Sequence, residues 1–138
     1  MAITQTQTTS FKVELYQGVH NLLTDTLKIA LYTSGATLDA ATTVYTTTGE
    51  VVAAGYTAGG NTLTGVAINS LDSTAYVNFA DTSWASTLTA RGALIYNASQ
   101  GNKAIAVLDF GADKTSTTTF LITMPANAAN TALIRSSN

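Results

Sequence analysis

Cysteine is absent from this 138-residue chain, and histidine, tryptophan and proline occur once each. Without cysteine there is no disulfide, no thiolate zinc site and no cysteine nucleophile, and the compartment is left open. Hydrolytic and transfer enzymes mostly need a positioned base, and His20 is the single histidine available for that work. Charge is scarce as well: Asp, Glu, Lys and Arg make up 10% of the residues and the net charge is −2, where an ordinary soluble domain is about 25% charged. Six scattered Lys and Arg leave no electrostatic footprint for nucleic acid or for an anionic membrane surface. No apolar run approaches the ~18 residues of a membrane span, and "MAITQTQTTS" has neither the basic nor the apolar region of a secretory signal. The expectation is a soluble protein made in a cytoplasm.

What the chain has is apolar bulk, 46% of residues, and threonine in place of charge as its polar coat. Threonine is β-branched and suits a pleated, half-exposed surface, so strands are expected over helices. Residues 1–10 form a Thr/Gln arm without hydrophobic period, lying on a neighbouring subunit or on its own domain; residues 11–138 make one β domain. In "SFKVELYQGVHNLL" the apolar residues fit a strand or a helix. Ser10 as N-cap and Gly18 or Asn21 as stop favour a short helix. Strands are expected at Leu27 and after, then at 63–69, 75–79, 91–96, 103–110, 118–124 and 132–135. About seven such strands make an antiparallel β-sandwich or jelly-roll-like fold with a short N-terminal helix. Residues 35–61 carry no sustained period and read as a long loop, of a kind usually functional or in contact with a partner.

The hairpin "TARGALIYNASQGNKAIAVLDFG" has two largely apolar faces. Arg91, Ala93 and Ile95 oppose Leu94 and Tyr96, while Ile105 and Val107 oppose Ala104, Ala106, Leu108 and Phe110, so it is expected to be central and covered on both sides. A charge on such a face needs a partner, and Asp81 or Asp109 would supply it for Arg91, unless Arg91 sits at a subunit contact.

Candidate chemistry is thin. His20 and Asp25 are close in sequence, but no G-x-S-x-G elbow accompanies them, and His20 reads as structural or surface. Asp109 and Asp113 could ligate Ca²⁺, yet the EF-hand pattern is missing and turn capping explains them. "DFG" lacks the other kinase elements, and the glycines of "AAGYTAGGN" lack the Lys-Ser/Thr ending of a phosphate loop. No cofactor, metal or catalytic residue is therefore assigned, and an enzyme is not expected. Trp84, Tyr45, Tyr56 and Tyr76 could form a flat aromatic platform for a sugar.

Four stretches, "FKVELYQGVHN…TDTLKIALYTSGATLDA", "YTTTGEVVAAGYTAGGNTL", "AYVNFADTSW" and "TARGALIYNASQGNKAIAVLDFGADK", resemble a family of small virion structural proteins of tailed bacteriophages, from Phe11 to Arg135. The most specific pieces are "TARGALIYN" and "AVLDFG". The resemblance implies a virion protein, between capsid decoration (cement) and minor tail protein, and brings no catalytic residues. The expectation is a cement protein on the capsid surface that binds the major capsid protein and itself, as a dimer or trimer. The alternative is a tail or head-fibre component binding a host-surface glycan. Contact residues are expected in the arm, at Thr4, Gln5, Thr6 and Gln7, in the 35–61 loop at Tyr45 and Tyr56, and at Trp84 and Arg91.

Overall fold

A computed structural model describes residues 2–136; Met1 of the expected arm and Ser137 and Asn138 of the expected domain lie outside them. In chain order, β1 (Thr6–Gln7) and helix α1 (Thr9–Tyr16) precede β2 (Leu27–Tyr32), β3 (Asn61–Thr62), β4 (Ala67–Leu71), β5 (Thr74–Asn78), β6 (Thr82–Trp84), β7 (Thr89–Asn97), β8 (Lys103–Thr115), β9 (Phe120–Ile122) and β10 (Ile134–Ser136). The chain is mainly β, and all its strand pairs are antiparallel. The strands order as β1-β8-β7-β2-β3, β10-β5-β4 and β6-β9. Seven of them overlap the expected strands, with β4 starting later than expected and β9 and β10 shorter; β1, β3 and β6, two or three residues long, have no expected counterpart.

The five-stranded sheet is covered on both faces, as the two apolar sides of its central hairpin require. One face carries Leu27, Ile29, Leu31, Ala93 and Ile95 into the main core, with Val77, Phe79, Trp84, Phe120 and Ile134 of the two smaller sheets and their connections. This is the sandwich-like layer. The other face presents Ala30, Tyr32, Leu94, Tyr96, Ala104 and Val107, covered by Ile3 of the arm and by Ala36 and Leu38.

Strict alternation along β8 does not hold. Ile95 pairs with Ala106 and Tyr96 with Ala104, so Ile105 is an extra residue in a bulge. The bulge reverses the parity: Ile105, Ala106 and Leu108 join the main core together, while Val107 turns to the other side with Ala104. Period counting grouped Ile105 with Val107 because nothing in an Ala-Ile-Ala-Val run marks the extra residue. A second irregularity lies between Ala90 and Gly92, where Arg91 sits.

Helix α1 forms as expected, but its N-cap is Thr8, not Ser10. The Thr8 hydroxyl accepts the Phe11 N–H at 3.2 Å and bonds the Ala104 carbonyl at 3.2 Å, so the cap also fastens the helix to β8. The helix stops at Gly18, φ +71°, where the Val19 N–H bonds the Glu14 carbonyl and the Gly18 N–H that of Leu15. Eight residues are too few to hold a helix alone. The cap and the fully buried Phe11 hold it.

Candidate functional site

The two segments expected to meet a partner lie side by side. Ile3 bridges to Leu38, the Thr4 N–H bonds the Leu38 carbonyl, the Leu38 N–H bonds that of Ala2, and the Thr9 N–H bonds that of Ala40. Thr6 and Gln7 then pair with Val107 and Ala106 as the outer strand of the five-stranded sheet. The arm thus lies on its own domain, and with residues 33–48 it forms one layer over the second face of that sheet. Its outer surface is rich in threonine, with Thr4, Gln5, Thr37, Thr43, Thr47 and Thr48 exposed, and among the described residues its one charge is the half-buried Asp39. Gly92 makes the notch in which the arm is anchored: a Cβ there would meet the Ile3 Cγ2 at 2.9 Å and the Leu108 carbonyl oxygen at 2.5 Å. Replacing Ile3 by Ala removes this anchor and is expected to cost ~2 kcal/mol, read as a lower denaturant midpoint together with faster amide exchange at Thr6 and Gln7.

The long loop is pinned by Glu50, which is only 7% exposed. Its carboxylate accepts the Tyr45 hydroxyl at 2.6 Å, the Tyr56 hydroxyl at 2.5 Å and the Gly59 N–H at 2.8 Å. Around it, Tyr56 also accepts the Leu31 N–H at 2.9 Å, Tyr96 donates to the Gly59 carbonyl at 2.7 Å, and the Tyr45 ring stacks on Tyr96 with centroids 4.7 Å apart. Burial first, then Glu50, pushes the Tyr32, Tyr45 and Tyr56 hydroxyls well above their usual range, and Tyr96 up to about 12. Three donors satisfying one buried carboxylate is a structural arrangement: each proton is held between fixed partners. Gly60, φ +77°, lets the loop enter β3, since a Cβ would be driven into the Ile29 carbonyl oxygen.

His20 is buried and has both ring nitrogens engaged. Nε2 lies 2.9 Å from a Glu14 carboxylate oxygen and Nδ1 2.9 Å from the Asn97 side-chain nitrogen. Asn97 also donates to Asp25 at 2.8 Å and accepts the Ser99 N–H at 3.0 Å. Because the Asn97 amide nitrogen must donate to the acceptor-only Asp25, the His20 Nδ1 accepts and Nε2–H donates to Glu14. The Asn97 bond, then the Asn21 N–H, holds the Asp25 carboxyl below the usual carboxylate range. No His20 nitrogen faces solvent or a nucleophile. The structural reading of His20 is the one this geometry fits.

The remaining expected residues fall apart from one another. Gln5 accepts the Asp109 N–H at 3.1 Å, and Gln7 donates to the Arg135 carbonyl at 2.9 Å, joining the five-stranded sheet to β10. Arg91 Nε donates to Asp109 at 3.0 Å, the partner its place on an apolar strand called for. That bond, helped by the Gly111 N–H, keeps the Asp109 carboxyl low. Tyr56 and Trp84 need correction as contact residues. Both are buried, Trp84 between Tyr56 and Phe120, and neither offers a ring face to a sugar or a protein. From its place between candidate strands Trp84 fits a core plug or an exposed anchor, and its pairing with Phe120 across β6 and β9 turns it inward as the former. Sequence reasoning passed over Glu50 and Asn97; a lone acid among tyrosines was the available signal for the first, and the second had none. Comparison with protein-family models, with curated proteins and with solved structures found no match for this chain.

Proposed function

We propose that this chain is a virion structural protein of tailed phages that decorates the capsid, binding the major capsid protein as a small symmetric oligomer and reinforcing the shell. The observation that carries this reading is the zipped layer of arm and loop: a broad, threonine-rich surface of low charge fastened to a sheet buried on both faces. Such a surface can be pressed against a partner without bending, and with one carboxylate and many hydroxyls it is buried at less cost than a charged face, provided the hydroxyls find hydrogen-bond partners. The resemblance of the Thr89–Gly111 hairpin to small virion proteins supplies the setting. Reinforcement then follows from mass action: a protein that binds the assembled shell and not its separated subunits stabilises the assembly.

The test uses tailed-phage particles assembled with and without the chain. Particles carrying it are expected to release their genome at a higher temperature, and the full-length protein added back to bare particles to restore that temperature. Protein lacking residues 1–7 should bind bare particles at least ten-fold more weakly. Equal robustness of both particle types, or density for the chain on the tail alone, overturns the reading.

A further inference from the structure

A groove of about 880 Å³ runs between α1 and the face of the β10-β5-β4 sheet. One wall is a row in register across three strands, Ile134, Val77 and Ile68. The other is Phe11 and Leu15, one helical turn apart on α1. The floor belongs to the main core, whereas the lips are open: Leu15 is 41% exposed, Ile68 44% and Tyr16 93%. Two cations, Lys12 and Arg135, border the groove, and among the described residues no carboxylate lines it. Among the described residues neither cation is ion-paired; Arg135 spends one donor on the Asn130 carbonyl at 2.7 Å.

The same sheet carries the matching piece. The β4–β5 hairpin turns at Asp72, φ +54°, and its tip places the 58%-exposed Leu71 next to the exposed Asp72 carboxylate. Strand β4, "AINSL", is the outer strand of its sheet and has none of the charges or prolines that usually blunt an edge. Leucine beside a carboxylate complements an apolar groove bordered by two cations. The tip lies at the end of the strand that bears Ile68, so tip and groove adjoin, and a two-fold axis beside them makes both contacts at once.

We propose that two copies of this chain associate through this face, each seating the Leu71–Asp72 hairpin tip of β4–β5 in the groove between α1 and β10-β5-β4 of the other. This deepens the decoration reading by naming the surface through which the protein meets itself, and it rests on that reading only for its biological use. The contact joins protein to protein and, apart from Thr6 and Gln7 where the arm borders the groove, leaves the arm-and-loop layer on the second face of the five-stranded sheet free for the shell.

Sedimentation equilibrium of the isolated protein tests it without any particle, so its failure is separate from failure of the decoration reading. The wild type is expected to dimerise, more weakly as salt is raised. Leu71→Ser should weaken the dimer at least ten-fold. Asp72→Asn, which keeps a residue tolerant of positive φ in the turn, and the pair Lys12→Glu with Arg135→Glu should each weaken it several-fold. Combining the two should weaken it by less than the product of the separate effects, as contacting groups do. All four positions are exposed, so an unchanged thermal midpoint of a diluted, monomeric sample verifies the fold. A monomer at every concentration, a dimer indifferent to Leu71→Ser, or charge changes that act independently overturns the proposal.

Discussion

Replacing Glu50 by alanine is expected to lower stability by ~3–5 kcal/mol, since two buried donors and the half-buried Tyr45 hydroxyl then lose their acceptor at ~1–3 kcal/mol each, less what relaxation recovers. For a domain of this size that is a drop of roughly 10–15 °C in the midpoint of a calorimetric scan. The loss arises because Tyr45, Tyr56 and the Gly59 N–H converge on one carboxylate at 2.5–2.8 Å. Glu50→Gln keeps an acceptor but turns an amide N–H₂ towards groups that are already donors, so an intermediate loss is expected. Alkali provides an independent reading of the same cluster. Each of these tyrosines has a folded pKa above its ordinary value of 10.0, so the unfolded chain gives up its proton first. Their contribution is therefore whole below pH 10 and is lost as pH rises, through about 12 for Tyr96. Wild type should lose stability steeply above pH 10 by denaturant titration, with the phenolate band appearing together with unfolding. In Glu50→Gln the hydroxyls lose a neighbouring negative charge, and the phenolate band should begin at lower pH. A variant as stable as wild type, with an unchanged alkaline limb, would show that the loop is held by something other than Glu50.

Elements that the sequence made legible are those whose signal is local. The Thr89–Gly111 hairpin could be read because both of its strands are apolar on two faces, and a strand with two apolar faces has to lie in the middle of something. Arg91 told its own story in the same way, as a charge that a buried strand tolerates only with Asp109 beside it. The helix was legible through Gly18 but misplaced at its start, since Thr8, Thr9 and Ser10 are all competent caps and the choice was made by the distant Ala104 carbonyl. The Glu50 cluster was hidden differently: its bonds to Tyr45, Tyr56 and Gly59 span five to nine residues of a loop whose lack of period gives no sign of how it folds back, and only Tyr32 and Tyr96 come to it through strand pairing. Trp84 and Tyr56 fitted partner-facing aromatics because one lies between candidate strands and the other in the long loop, while in space they pack on each other and Trp84 on Phe120. The arm and the loop were each legible as contact segments. That they adjoin was not, since the pairing of Ile3 with Leu38 depends on a notch at Gly92.

Asn97→Ala is expected to cost ~2–4 kcal/mol, the second-largest loss, although the substitution touches no apolar contact of note. Asn97 has no solvent exposure and makes three bonds, to His20, to Asp25 and from the Ser99 N–H. Alanine leaves the His20 Nδ1 buried without a donor, so the ring that Glu14 and Phe11 hold in place loses its second tether. The Ser99 N–H, which opens the turn between β7 and β8, loses its cap as well. Asn97→Asp is nearly the same shape and should not rescue: it sets a second carboxylate 2.8 Å from the Asp25 oxygen that in the wild type accepts a hydrogen bond from the amide. Acid separates this account from a simple packing defect. The Asp25 carboxyl has a folded pKa below 3.8, with the Asn97 bond as the largest cause, so its contribution is present above pH 3.8 and fades as pH falls through the folded value. The stability gap between wild type and Asn97→Ala, measured by urea titration, should therefore narrow below about pH 4, and that between wild type and Asn97→Asp should narrow further as the added carboxyl takes up its proton. A gap that stays constant from pH 7 to pH 3 would mean that Asn97 acts through its volume, and that the Glu14–His20–Asn97–Asp25 chain contributes nothing as a network.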